Sequence, residues 1–215
     1  MHKLTSFLAF TAILCSGCTS CLDPDGEDCI KKYNFTIPIS IYPVRDTFHV
    51  GDTIWVESLV QNNLVNNLSG EEVDISNLDL KFHSAITEYN DSENFYSDHL
   101  FGYVNQVGGF YRSETLIHIV YADSTNDYRM FKVGMIPLNK GTGSGTFHYT
   151  FGYIRNDYDQ SDLISKGCLD LIAFNYSTNM GKDSSTYQLL PKTFKQTISQ
   201  SSYNMFGSFA FRVVD

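Results

Sequence analysis

From Phe35 onward the chain alternates apolar and polar positions in short runs, and breaks rich in Gly, Asn and Asp separate the runs. Alternation with a period of two puts successive side chains on opposite faces of a strand, so each run predicts a half-buried β-strand. Residues 146–153 are the clearest case. Phe147, Tyr149, Phe151 and Tyr153 share one face there, and Thr146, His148 and Thr150 share the other. In residues 115–121, Ile117, Ile119 and Tyr121 oppose Leu116, His118 and Val120. The same reading predicts strands at 35–42, 54–61, 78–86, 100–107, 128–136, 169–176 and 206–214. Asn62-Asn63, Asn66-Asn67, Gly108-Gly109, residues 123–127 and residues 141–145 supply turn chemistry between them. One helix candidate lies near the C-terminus, where Phe194, Ile198 and Met205 fit a helical period loosely. Many short strands without a long helical pattern predict an all-β chain. The architecture expected is a single elaborated antiparallel β-sandwich, immunoglobulin-like or jelly-roll-like, over residues 33–215.

The first residues depart from this pattern. A cationic start, Met1-His2-Lys3, precedes an apolar stretch at residues 4–14, and small residues then lead into Cys18 and Cys21. The stretch is shorter than the ~20 residues a membrane-spanning helix needs. It reads as a cleaved export signal ending at residue 17 or, alternatively, at residue 20. Small residues before a cysteine resemble the bacterial lipobox, which implies an acylated cysteine and hence a membrane as partner. Cys18, which follows Ser16-Gly17 and stands closer to the apolar stretch, is the acylation candidate; Cys21, which follows Thr19-Ser20, is the alternative. Both depart from the lipobox at the third upstream position, where a Leu is usual and a Cys stands here. Cys15 is unsuited because Leu14 fills a position that must be small. With Cys21 acylated, Cys29 and Cys168 remain as one possible disulfide; with Cys18 acylated, one thiol is left over. Residues 18–32 carry Asp23, Asp25, Glu27 and Asp28 with little to bury, and read as an acidic tether. Acids following such a cysteine resemble the surface-export signal of Bacteroidota lipoproteins. The expected address is the cell envelope, on the outer membrane or a periplasm-facing membrane, with surface exposure open.

The segment Phe48-His49-Val50-Gly51-Asp52-Thr53-Ile54-Trp55-Val56-Glu57-Ser58 predicts a strand, a tight Gly-Asp turn and a second strand. With the leader, it resembles uncharacterised lipoproteins of Bacteroidota that carry a Phe-x-x-Gly-Asp-Thr-Ile-Trp-x-Glu-Ser pattern. The resemblance implies export and a β fold, and it assigns neither activity nor site residues. Trp55 reads as a core anchor, with an exposed contact residue as the alternative.

Composition narrows the function. A chain of 215 residues that is 42% hydrophobic can bury a sizeable core. Its net charge of -9, with no basic run longer than Lys31-Lys32, argues against nucleic acid as partner. Residues 141–145 lack the serine-centred spacing of a nucleophile elbow, and Gly181-Lys182 lacks the upstream glycine of a phosphate loop. His49, His83, His99, His118 and His148 are scattered, without the spacing of a zinc motif. Asn156, Asp157, Asp159 and Asp162 crowd one loop with oxygen ligands, which makes Asp157, Asp159 and Asp162 the calcium candidates. Aromatic residues make up 14%, and Tyr89, Tyr128 and Tyr158 each adjoin Asn or Asp, the chemistry that grips sugar rings and hydroxyls. Glu57, Glu88, Glu93 and Glu114 could serve a dispersed-site glycosidase or esterase, but nothing singles out a pair. The reading is a non-enzymatic, lipid-anchored envelope module, binding or structural, with no cofactor; its partner is a glycan or an envelope protein. The alternative is a glycan-binding module or a dispersed-site hydrolase.

Overall fold

The computed structural model describes residues 29–89, 94–113, 116–125, 127–141, 145–153, 164–180 and 185–215. The strands in its first half are β1 (Ile30–Tyr42), β2 (Thr47–His49), β3 (Ile54–Gln61), β4 (Asn63–Val65), β5 (Glu72–Asp74), β6 (Lys81–Tyr89), β7 (Asn94–Tyr96) and β8 (Phe101–Val107). Then follow β9 (Gly109–Arg112), β10 (Ile117–Val120), β11 (Ala122–Thr125), β12 (Tyr128–Pro137), β13 (Thr146–Tyr153), β14 (Leu169–Thr178) and β15 (Phe209–Val214). The six-stranded sheet runs β11-β12-β3-β1-β14, with β8 sharing one edge of β12 with β11. The seven-stranded sheet runs β2-β15-β13-β6-β10-β9, and β7 pairs with the far end of β6. The two sheets pack face to face as a β-sandwich, and β4 and β5 form a separate hairpin.

Alternation fixes what each strand buries. Phe35, Ile37, Ile39 and Ile41 of β1, Ile54, Val56 and Val60 of β3, and Phe131, Val133 and Met135 of β12 point inward from the six-stranded sheet. Phe82 and Ile86, Phe147, Tyr149 and Phe151, and Phe209, Phe211 and Val213 meet them from the other sheet. The core is unusually aromatic: Phe101 meets Phe147 edge-on at 5.2 Å, and Phe147 stacks on Phe211 at 5.7 Å. Such ring pairs add about 0.5–1.5 kcal/mol each beyond their buried area.

Three features depart from the sequence reading. First, pairing is antiparallel except for β1–β14 and β2–β15, which are parallel. Residue alternation is identical in both directions, so it cannot report orientation. Second, the first strand begins at Ile30, before the boundary at residue 33 read from the sequence. Residues 30–32 are strand rather than tether because they pair with Leu169, Asp170 and Leu171. A disulfide joins Cys29 to Cys168, the residues immediately preceding β1 and β14, with the Cα atoms 4.5 Å apart. Third, the C-terminal region carries two short helices, α1 (Lys192–Thr197) and α2 (Gln200–Met205), where one loose helical pattern was read. Pro191 stands before α1, and Ser199 caps α2 by accepting from the Ser202 amide at 3.1 Å. The region covers the outer face of the seven-stranded sheet, where Tyr187, Leu190 and Tyr203 pack on Tyr89 and Ala210.

Candidate functional site

Trp55 lies on the outer face of the six-stranded sheet, opposite in direction to its neighbours Ile54 and Val56, which are fully buried. The register makes a row across the strands: Tyr42 of β1 pairs with Trp55 of β3, Trp55 with Gly134 of β12, and Gly134 with Val104 of β8. The next row places Ser40, Glu57 and Lys132 side by side. A Cβ on Gly134 would stand 3.0 Å from Trp55 Cζ3 and 2.8 Å from Thr53 Cγ2. The indole thus lies down over a strand position without a side chain. An aromatic covering a cross-strand glycine compensates for the packing that glycine lacks.

Polar groups surround this ring. The Tyr42 hydroxyl donates to Glu57 Oε2 at 2.7 Å, and Lys132 Nζ stands 3.7 Å from the same oxygen. The Lys132 ammonium is 5.2 Å from the Tyr42 ring centroid and 5.3 Å from that of Trp55, within cation–π range of both. Its hydrogen bond with Tyr42, then its neighbours' charge, raises the Lys132 pKa, so the cation persists throughout the physiological range. Desolvation, followed by the Glu57 contact, raises that of Tyr42 against the opposing pull of Lys132, and the phenol stays a neutral donor. The result is an open platform: two aromatic rings, one carboxylate and one ammonium that offset each other's charge.

Two other places collect chemistry. On the outer face of the seven-stranded sheet, Tyr111, His118 and His83 pair across β9, β10 and β6. Tyr111 stacks on His118 at 4.4 Å, while the His83 ring lies against Gly152 on the other side. The two imidazoles therefore turn away from each other. Burial, and then the nearby His118, lowers the His83 pKa. Where β1 and β14 begin, an open cleft of about 320 Å3 is lined by Lys32, Asn34, Leu68, Leu171 and Ala173. The amides beside it satisfy one another: Asn34 Oδ1 accepts from Asn67 Nδ2 at 2.7 Å and from Asn175 Nδ2 at 2.9 Å.

The residues singled out by sequence scatter. Glu57 stands on the outer face of one sheet and Glu88 is buried on the inner side of the other, so these two carboxylates do not face each other. Glu93 and Glu114 lie outside the described residues, as do Cys18, Cys21 and the calcium candidates Asp157, Asp159 and Asp162. Among the described residues, no group of three or more His, Cys, Asp or Glu could hold a metal ion. Tyr89 is buried beneath the C-terminal helices rather than offered to a ligand. Trp55, read from sequence as a core anchor, is instead a face residue. The signal was present, since Glu57 and Gln61 share its side of β3.

The Cys29–Cys168 disulfide marks a chain that matures outside the cytoplasm, where thiols oxidise and stay oxidised. No helix among the described residues is long and apolar enough to cross a membrane. No protein-family model matches the chain, and no curated protein matches it. Among solved structures it is similar to the reeler domain of human F-spondin, at 11% identity over 69% of this chain and 89% of that one, with a TM-score of 0.32. It is similar to the type II cohesin dyad from the adaptor ScaA scaffoldin of Acetivibrio cellulolyticus, at 13% identity, 67% and 46% coverage and a TM-score of 0.27. A type II cohesin domain from the cellulosome of the same organism is similar at 12% identity, 64% and 92% coverage and a TM-score of 0.25.

Proposed function

We propose that this chain is a lipid-anchored binding module of the cell envelope, held by Cys18 or Cys21, whose contact surface is the Trp55 face of the six-stranded sheet. The observation that carries the reading is the sole tryptophan of the chain lying outward beside Tyr42, Glu57 and Lys132. A large aromatic on a solvent-facing strand position contributes little to the core, whereas such residues dominate the energetics of contact surfaces. The lipobox-like leader supplies the anchor, and the disulfide fits the compartment. The module performs no chemistry of its own.

Two measurements test this. Intact-mass analysis of protein extracted from membranes should find the acyl mass on a chain beginning at Cys18 or Cys21. The second uses the chain with both cysteines replaced by serine, so that no lipid contributes. It should sediment with isolated cell envelopes, and Trp55→Ala should weaken that binding at least tenfold while the variant still unfolds cooperatively. Undiminished binding by a folded Trp55→Ala variant would remove the assignment of this face.

A further inference from the structure

Resting on the reading of the Trp55 face as a contact surface, we infer that its ligand is a neutral polysaccharide of pyranose rings with equatorial hydroxyls. Such a ring has two kinds of surface. Its flat sides expose C–H groups, and its rim carries hydroxyls that both donate and accept hydrogen bonds. The platform offers a match for each. The Trp55 indole lies over Gly134, and the Lys132 ammonium stands 5.3 Å from its ring centroid. Tyr42 supplies a second ring on the neighbouring strand. Among the described residues, the contacts of Glu57 with Tyr42 and Lys132 both go to Oε2, which leaves Oε1 to accept from a hydroxyl. Lys132 is the movable part. Its flexible arm now rests against the two rings, and a sugar arriving on Trp55 displaces it sideways into donating distance of the rim.

Three further observations select this class. The row runs across four strands on the outer face of the sheet, a linear array that suits the interior of a long polymer. Glu57 and Lys132 neutralise each other, so no net local charge draws an acidic polymer. A protein partner needs roughly 800 Å2 of surface on each side with an apolar centre. Here Ser40, Thr53, Glu57 and Lys132 surround the single tryptophan, and the exposed apolar residues on this face, Val104 and Leu59, leave its apolar part narrow.

Because Trp55 is the one tryptophan, fluorescence excited on the red edge of its absorption, beyond that of tyrosine, reports on this site alone. The chain with Cys18 and Cys21 replaced by serine would be titrated with hydroxyethylcellulose and barley β-glucan as neutral polymers, and with polygalacturonate as the acidic one. The same polymers would then be cast into native gels. The expected result is a saturable blue shift and slowed migration with a neutral polymer, and neither with polygalacturonate. Trp55→Ala should abolish the retardation, Trp55→Phe should keep part of it, and Glu57→Gln should weaken it about fivefold to tenfold, with every variant still unfolding cooperatively. Absence of binding to both neutral polymers, a preference for polygalacturonate, or full retardation of folded Trp55→Ala would each overturn the inference. Its failure is separable from that of the contact face. Trp55-dependent sedimentation with envelopes, alongside no neutral-polymer binding, would refute the sugar while leaving the face; loss of both would refute both.

Discussion

His148 sits on the outer face of β13, 3% exposed, under the C-terminal helical cover. Its ring stacks on Tyr203 at 5.3 Å and meets the Phe194 ring edge-on at the same distance. Nδ1 lies 3.1 Å from the Tyr89 hydroxyl oxygen, and Nε2 has no hydrogen-bond partner among the described residues. An imidazolium there would lack both water and a counter-charge, so burial pushes its pKa down from 6.5 to about 3. In the unfolded chain the same imidazole titrates near 6.5. Between these values the unfolded state binds a proton that the folded state refuses. The contribution is thus intact above pH 6.5 and is lost steadily as the pH falls towards 3. At about 1.4 kcal/mol per pH unit the loss is ~3 kcal/mol by pH 4.5, and about 5 kcal/mol if the whole window is crossed. Urea unfolding of wild type and His148→Phe at pH 7.5, 6.0, 5.0 and 4.5 would measure it. The phenyl ring fits the aromatic surroundings but takes up no proton. Carboxylates titrate in both proteins, so the difference between the two curves isolates His148. That difference should close by about 2–3 kcal/mol between pH 7.5 and 4.5, in favour of the variant. Two parallel curves across that range would refute the reasoning.

Other expectations follow from single contacts. Arg129 is buried and donates to Asn62 Oδ1 at 3.0 Å, to the Ile75 carbonyl at 2.5 Å and to the Leu78 carbonyl. Arg129→Met should cost about 3 kcal/mol or more in urea unfolding, because it strands buried acceptors; Arg129→Lys should recover little of this without the planar fork. Cys168→Ser should lower unfolding free energy by about 2–5 kcal/mol, matched by wild type in reductant and checked by non-reducing electrophoresis. Gly134→Ala should lift the indole off the sheet, costing about 1–3 kcal/mol and moving tryptophan emission to the red.

The sandwich was legible because strands such as β13 carry their inward face in strict alternation, and Phe147, Tyr149 and Phe151 are all core residues. The same alternation set His148 on the polar side with Thr150, and that assignment of face is correct. What it could not show is that residues 185–206 return to cover this side and bury His148 there. Burial of an outward position is decided by distant residues, which a local pattern does not contain. Trp55 failed differently. Its size argued for the core, while its register with Glu57 and Gln61 argued for the face, and register prevailed because a strand cannot rotate one side chain independently of its neighbours. The direction of β14 beside β1 left no local trace at all.

That parallel pair has a mechanical consequence. A pull applied through residues preceding Cys29 reaches the fold at a covalent fork, because the disulfide divides it between β1 and β14 at the same end of both. Strands tugged in the same direction do not slide past one another, so the ladder from Ile30–Leu169 to Ile39–Thr178 is spared differential strain. The tension passes instead into the interior of the sheet, through the pairing of Ser40, Ile41 and Tyr42 with β3. The force arrives where the strands are already shielded by the sandwich, and the chain's exposed beginning cannot be peeled away one residue at a time.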